Sequence, residues 1–271
     1  MTKELKQTVL KDEEKINRIL SRIYRHQLSY DRKIARLQAD LNNMCREMQN
    51  CYKELNFANL LHDTLVNSTW LKDKSFSLHG WAANYSFIYM LYRILDNAKP
   101  TRILEMGMGQ TSRLTSQYIA YCNPNAALDI VENDAGWIAT YQPQLAQNEH
   151  TKIHQCDLEF FTYDNVECRK YKDLNEVVGN TKYDLIIIDG PLGADQTLPR
   201  SNVLDLIRND NIAEDFIIIF DDAERKGEQK TIANALALLE NKGIKYTAFQ
   251  RNALKTQQFI STLTKSFIKY L

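Results

Sequence analysis

The sequence predicts an α/β fold: a seven-stranded, mostly parallel sheet with an antiparallel last strand, preceded by a long N-terminal coiled-coil helix. Three observations carry this reading. After Pro100, short apolar runs alternate with stretches of helical period. A glycine turn, Glu105-Met106-Gly107-Met108-Gly109, separates the first apolar run from the first such helix. Glycine is needed where the backbone turns tightly or lets a ligand approach closely. From Thr2 to Leu65 there is neither glycine nor proline, and apolar residues recur at alternating spacings of four and three.

Composition limits the function. The chain has 271 residues, 44% hydrophobic, enough to bury one ordinary core and carry an appendage. Lys and Arg number 34 and so do Asp and Glu, so there is no global electrostatic case for nucleic acid or an anionic membrane surface. The five cysteines form no C-x-x-C pair and read as free thiols rather than a disulfide or zinc framework. The N-terminus, MTKELKQTVLKDEEK, is too polar for a signal peptide. The longest apolar runs, Leu185–Ile188 and Phe216–Phe220, are too short to cross a bilayer. The expectation is a soluble, cytoplasmic protein without stable membrane insertion.

Residues 1–66 read as a coiled-coil oligomerisation helix. The seam runs Ile16, Leu20, Ile23, Tyr30, Ile34, Leu37, Leu41, Met44, Met48, Cys51 and Leu55, and Gln27 is its one polar interruption. A repeat averaging 3.5 residues keeps one stripe facing a partner helix, and a polar seam residue sets register. Self-association is therefore expected. Folding back of the helix on its own globular domain is the alternative. The arginines of this segment (Arg18, Arg22, Arg25, Arg32, Arg36) read as a solvated face.

Residues 67–271 read as the second domain. Asn67-Ser68-Thr69 ends the heptads, and a helix is expected over Trp81–Leu95, stopped by Asn97, Lys99 and Pro100. Strands are expected at Arg102–Met106, Ala127–Glu132, Thr151–Cys156, Tyr183–Ile188, Asp215–Phe220, Lys245–Phe249 and Gln257–Thr262. Helices fall at Thr111–Tyr121, Asp134–Gln147, Leu198–Asn209 and Gly227–Asn241. Leu158–Thr181 reads as irregular, with a short helix and loops. Strands four and five are continuous apolar runs, as buried parallel strands should be. The last two strands are joined too closely for a crossover, so the final one runs antiparallel.

Ligands in such sheets bind beyond the carboxyl ends of the strands. Those ends carry Glu105, Glu132, Asp157 and Asp189, with Asp221-Asp222 after strand five. Each alone reads as a cap or turn residue; an acid at every relevant strand end is hard to obtain from capping alone. Two vicinal hydroxyls are best held by one carboxylate that accepts from both.

Over residues 79–271 this constellation resembles the class I S-adenosylmethionine-dependent methyltransferases, whose sheet is Rossmann-like. The E-x-G-x-G at Glu105–Gly109 resembles their first motif. Glu132 matches the acid that holds the ribose hydroxyls, and Asp157 the residue that reads the adenine amine. The resemblance implies S-adenosyl-L-methionine as cofactor, bound by Glu105, Gly107, Gly109, Thr111, Ser112, Glu132, Asn133, Asp157 and Asp189. A dinucleotide fingerprint would want a third glycine where this chain has Ser112. The segments HGWAAN (His79–Asn84), DGPLG (Asp189–Gly193) and FDDAERKGEQ (Phe220–Gln229) narrow the resemblance to O-methyltransferases of surface-polysaccharide biosynthesis and to the plant glucuronoxylan enzymes. Divalent-metal O-methyltransferases, such as the catechol enzymes, hold magnesium on acids after strands four and five; Asp189, Asp221 and Asp222 match those places. Mg2+ is thus an optional second cofactor. The lysine those enzymes place three residues after the first aspartate is Leu192 here, which leaves the base open among Asp189, Asp222 and His79.

The functional expectation is methyl transfer to a sugar hydroxyl of a cell-surface polysaccharide or related glycoside. A small aromatic or macrolide-type acceptor is the alternative within the same chemistry. A coiled-coil scaffold with a catalytically silent, cofactor-binding domain is the alternative outside it.

Overall fold

A computed structural model describes residues 3–78, 82–193 and 196–271. His79 and Trp81, singled out from the sequence, lie outside the described residues. The chain forms two compact units, Met1–Gln49 and Asn50–Leu271. The division between these units falls within one continuous helix.

The first unit is helical, part of α1 (Lys3–Val66). Its heptad positions Ile16, Leu20, Ile23, Tyr30, Ile34, Leu37, Leu41, Met44 and Met48 are all more than half exposed. Among the described residues, no helix is long and apolar enough to cross a membrane.

The second unit begins with the last turns of α1. Here a different stripe is buried: Glu54, Leu61 and Leu65, with Phe57 packed against the core. These residues sit at helical spacing but off the heptad seam, which is why the unit boundary cuts through one helix. The linker that follows is tied down by Arg113, which pairs with Asp73 at 2.5 Å. Then come α2 (Tyr85–Ala98), β1 (Arg102–Met106), α3 (Gln110–Tyr121), β2 (Ala127–Glu132), α4 (Ala135–Tyr141) and β3 (Thr151–Gln155). They are followed by β4 (Leu158–Tyr163), β5 (Val166–Tyr171), α5 (Leu174–Val178), β6 (Tyr183–Ile188), α6 (Asn202–Arg208), β7 (Ile212–Phe220), α7 (Lys226–Asn241), β8 (Tyr246–Asn252) and β9 (Thr256–Thr262). A 3-10 turn, Leu263–Tyr270, closes the chain and was not expected from the sequence.

Seven strands form one sheet in the order β3-β2-β1-β6-β7-β9-β8. The pairs from β3 to β7 are parallel, and β9 is antiparallel to both neighbours. This is the Rossmann-like sheet the apolar runs predicted. Alternate strand residues enter two separate cores. Ile103, Ile130, Leu185, Ile187, Ile217 and Ile219 join one, with α2 and α3. Leu104, Val131, Ile186, Ile188, Ile218 and Phe220 join the other, with α6 and α7. A strand period of two sends neighbours to opposite faces, and each such side chain fully buried contributes about 1.5–3 kcal/mol.

In the segment read as irregular with a short helix, the helix is α5, and the residues before it form an antiparallel hairpin, β4 paired with β5. Its turn is Asp164-Asn165, both at positive φ (51° and 61°). Two left-handed residues make the turn whose twist suits a two-residue hairpin. The charged residues of the segment concealed it, because the hairpin's only large burial is Cys168 and Tyr171. Helix α2 also starts later than expected, at Tyr85.

Candidate active site

The parallel order β2-β1-β6-β7 brings the carboxyl ends of four strands to one edge. Backbone bonds continue the ladder past them: Gly107 donates to Val131 O (2.9 Å), Asp189 to Met106 O (2.8 Å) and Asp221 to Ile188 O (3.0 Å). Strand β1 has its successor β2 on one side and β6 on the other. The chain thus reverses its strand order here, and that reversal opens a crevice at the strand ends.

The glycine turn is built for close backbone approach. Gly107 lies at φ +95°, and a Cβ there would stand 2.8 Å from Gly190 N and 2.9 Å from Asp189 C. Gly107→Ala is expected to cost about 1–3 kcal/mol from backbone strain alone, with the clash adding to it. Urea unfolding checks this; an unchanged midpoint would show the turn has slack. Gly109 differs. Its backbone is extended, and a Cβ would meet nothing within 4 Å, so space stands open beside the chain.

Glu105 is not at the crevice surface. It is fully buried, and its carboxylate accepts from the hydroxyls of Thr111 (2.5 Å), Ser112 (2.8 Å) and Thr115 (2.9 Å). Glu105, Thr111 and Ser112 hold one another and fix the start of α3. Burial pushes the Glu105 carboxyl up to about 7, against the opposing pull of those hydroxyls. The folded state therefore holds this proton more tightly than the unfolded chain does. Its contribution to stability is complete below about pH 4.5, declines as pH rises towards 7, and is gone above that. Glu105→Gln keeps the shape without the charge. It is expected to be more stable than the parent at pH 8 by on the order of 3 kcal/mol, a difference that shrinks towards pH 5. Paired urea titrations at the two pH values decide it.

Glu132 is a different case. Its Oε2 accepts from Met108 N (3.0 Å) and its Oε1 from Asn133 N (2.7 Å) and Asp134 N (3.0 Å). Three backbone donors hold the carboxylate beside the glycine turn, and it retains acceptor capacity on Oε2. Asn133 contributes its backbone N–H. Asp157 is exposed just past β3. Trp137, which sequence reasoning passed over, donates its indole N–H to Met108 O at 2.5 Å, is 41% exposed, and packs on Tyr141 at 4.8 Å. An aromatic ring one turn into the helix after Glu132 was the available signal. Tyr171 is also new. Its ring is buried, its hydroxyl has no hydrogen-bond partner, and a Cβ on Gly190 would strike that hydroxyl. Burial pushes its hydroxyl pKa well up, and the nearby Glu132 charge adds to this. Open space at Gly109, an oriented Glu132 and an orphaned hydroxyl between the strand ends fit a nucleoside-bearing ligand.

The three aspartates do come together. One carboxylate oxygen of each of Asp189, Asp221 and Asp222 lies within 4.8 Å of the others. They are not bare. Arg200, only 3% exposed along its side chain, donates Nη2 to Asp222 Oδ2 (2.7 Å) and Asp189 Oδ1 (3.2 Å), and Nη1 to Asp221 O (2.7 Å). Lys255, from the β8–β9 turn, places Nζ 3.1 Å from Asp221 Oδ2 and 3.5 Å from Asp222 Oδ1. Asp221 Oδ1 accepts from Gln257 Nε2 at 2.8 Å. Arg225 adds a 2.9 Å contact to Asp222. Burial alone would raise Asp222, but Arg200, Lys255 and Arg225 outweigh it and hold it below the usual carboxylate value. Burial would likewise lower Lys255, and the aspartates outweigh that too. Asp189 goes the other way: burial and the neighbouring Asp221 push it up to about 8. Its side chain is 22% exposed, against 4% for Asp222 and 0% for Asp221.

A chain of buried polar groups runs from α1 to this cluster. Glu54 accepts from Asn84 Nδ2 (2.7 Å) and Tyr85 N (2.5 Å). Gln257 Nε2 donates to both Asn84 Oδ1 (2.9 Å) and Asp221 Oδ1. The acid of the helix thereby holds Asn84, which holds Gln257, which in turn holds Asp221.

No protein-family model matches the chain, and no curated protein matches it. Solved structures do. The O-methyltransferase TomG from Streptomyces achromogenes, involved in tomaymycin synthesis and solved with S-adenosylmethionine, aligns at 12% identity with a TM-score of 0.46, over 77% of this chain and 89% of its own. An O-methyltransferase from Bacillus cereus, in complex with S-adenosylhomocysteine, aligns at 11% identity and a TM-score of 0.45, over 78% and 91%. A methyltransferase from Geobacter sulfurreducens gives 13%, 0.47, 68% and 81%. Likeness at this level concerns the arrangement of the chain and carries nothing about chemistry.

Proposed function

We propose that residues 50–271 form an S-adenosylmethionine-dependent O-methyltransferase. The observation that carries the reading is the meeting, at one reversal of strand order, of a glycine turn with open space, an oriented Glu132 and the part-exposed Asp189. Glu132 is suited to the ribose hydroxyls, Asp157 and Trp137 to the base, and Gly107–Gly109 to close backbone contact. Bound S-adenosylmethionine supplies a methyl group on a positively charged sulfonium sulfur. Asp189 is placed to take the acceptor's hydroxyl proton; that oxygen would bond to the methyl carbon, and the electron pair of the broken C–S bond would stay on sulfur. Asp222, locked by two guanidinium groups and buried, is the weaker candidate for base. The acceptor we propose is a sugar hydroxyl of a cell-surface glycan, supported by the DGPLG and FDDAERKGEQ segments, with the reaction in the cytoplasm, where five unpaired cysteines are at home.

Calorimetry with S-adenosylhomocysteine tests the cofactor. Binding is expected, weakened about tenfold or more in Glu132→Ala, since a carboxylate–hydroxyl pair contributes roughly 1.5–3 kcal/mol. Equal affinity in parent and variant would remove Glu132 from the site. For residues 1–49 we propose self-association along the exposed heptad stripe. Leu37→Asp with Leu41→Asp, in the full chain, should reduce the subunit number in sedimentation equilibrium; an unchanged mass would count against it.

A further inference from the structure

The three aspartates are the place where related chemistry takes up a divalent cation, and here they do not fit one. A magnesium-type ion needs several oxygens facing a common point, with water on the rest of its shell. Asp221 has Oδ1 engaged by Gln257 and Oδ2 by Lys255. Asp222 Oδ2 already takes Arg200 and Arg225. Arg200 thus spans Asp222 and Asp189, and Lys255 spans Asp221 and Asp222. Charge says the same. Against Asp189, Asp221, Asp222 and the buried Glu228 stand Arg200, Lys255 and Arg225, one positive charge short of balance. A divalent ion added to these three cations would overshoot that balance. Arg200 and Asp222 both sit at φ +55°, a left-handed backbone that non-glycine residues rarely adopt. Two strained residues meeting in one ion pair mark that pair as a fixed part of the site.

We infer that Arg200 and Lys255 are the resident cations of these strand ends, that the chain takes up no divalent metal there, and that the transfer runs without one. Lys255 is the removable member: it reaches in from a hairpin turn and is 16% exposed, whereas Arg200 is 3% exposed and also bonds backbone oxygens. Taking away the ammonium turns the three aspartates into a site open to a divalent ion. The metal-binding half of this inference stands on geometry alone. The statement about transfer rests on the methyltransferase reading.

Manganese binding, followed by electron paramagnetic resonance of the free ion, tests it on the full chain. The parent is expected to remove no manganese from solution at submillimolar concentrations. Lys255→Met, shown folded by circular dichroism, is expected to bind at least about tenfold more tightly, as loss of one charge beside the site requires. Stoichiometric binding by the parent, abolished in Asp222→Asn, would overturn the inference. So would a folded Lys255→Met that binds no better than the parent. If that variant unfolds, Lys255→Gln replaces it, and the parent titration decides the first point in any case. Transfer to a glycan extract should be unchanged after rigorous chelation; loss of transfer that manganese restores would overturn the metal-free statement. A parent that transfers to no acceptor yet behaves as expected towards manganese would fail the methyltransferase reading and leave the cation assignment standing.

Discussion

Replacing Arg200 with methionine is expected to lower the unfolding free energy by about 3–5 kcal/mol, the cost of breaking a buried ion pair from one side. The reason is the partners left behind. Without the guanidinium, Asp222 keeps Arg225 and a 3.5 Å approach to Lys255, while Asp189 loses the one cation that touches it among the described residues. The carbonyl of Asp221 loses a 2.7 Å donor in a fully buried position, which adds the penalty of an unsatisfied polar group. Lysine at this position keeps the charge but not the planar fork that reaches two carboxylates and a carbonyl together. Arg200→Lys should therefore fall between parent and methionine variant. Urea unfolding at pH 7 measures both. A loss under about 1 kcal/mol for Arg200→Met would mean the cluster relaxes or takes up protons readily, and the resident-cation picture would weaken with it.

Arg200 also marks how far the sequence could be read. The central strands were plain because parallel strands covered on both faces need continuous apolar runs, and Leu185–Ile188 and Phe216–Phe220 are such runs. The strand ends were plain for a topological reason: once β1, β2, β6 and β7 are parallel, the residues after them must share an edge. Glu132 and the aspartates followed from that. The cations did not. Arg200 is 22 residues from Asp222, and Lys255 is 34 residues from Asp221, so nothing local distinguishes either from surface charge. Arg200 nevertheless lies buried within the cluster. Glu105 shows a limit of the opposite kind, since its burial was not legible. An acid at a motif position invites a ligand contact, yet three hydroxyls one turn into α3 turn it inward. The β4–β5 hairpin was missed because its pattern is charged and aromatic rather than cleanly alternating, although Asp164-Asn165 is a fair two-residue turn. The border at residue 50 depends on which stripe of one continuous helix meets the core, and Glu54, a buried acid off the seam, had no local signature.

Asp189→Asn is expected to lower kcat by about 10²–10⁴-fold, the usual contribution of a positioned general base, while leaving cofactor affinity nearly unchanged. The pH dependence is the sharper measurement. Burial and Asp221 hold the Asp189 carboxyl up to about 8. A base must have lost its proton to act, so only roughly a tenth of the protein is competent at pH 7. Activity should climb about tenfold per pH unit below the pKa and level off above 8, and the asparagine variant should lose that limb. Lys255 and Arg200 bear on the same value, since both pull it downward against burial and Asp221. Lys255→Met should therefore shift the limb to higher pH, and Asp221→Asn should shift it to lower pH. Those opposite displacements separate a base inside this cluster from one elsewhere: a histidine outside the cluster would hold its limb in both variants. A limb that moves as expected in Asp221→Asn but survives in Asp189→Asn would transfer the role to Asp222, the remaining carboxylate that both cations touch.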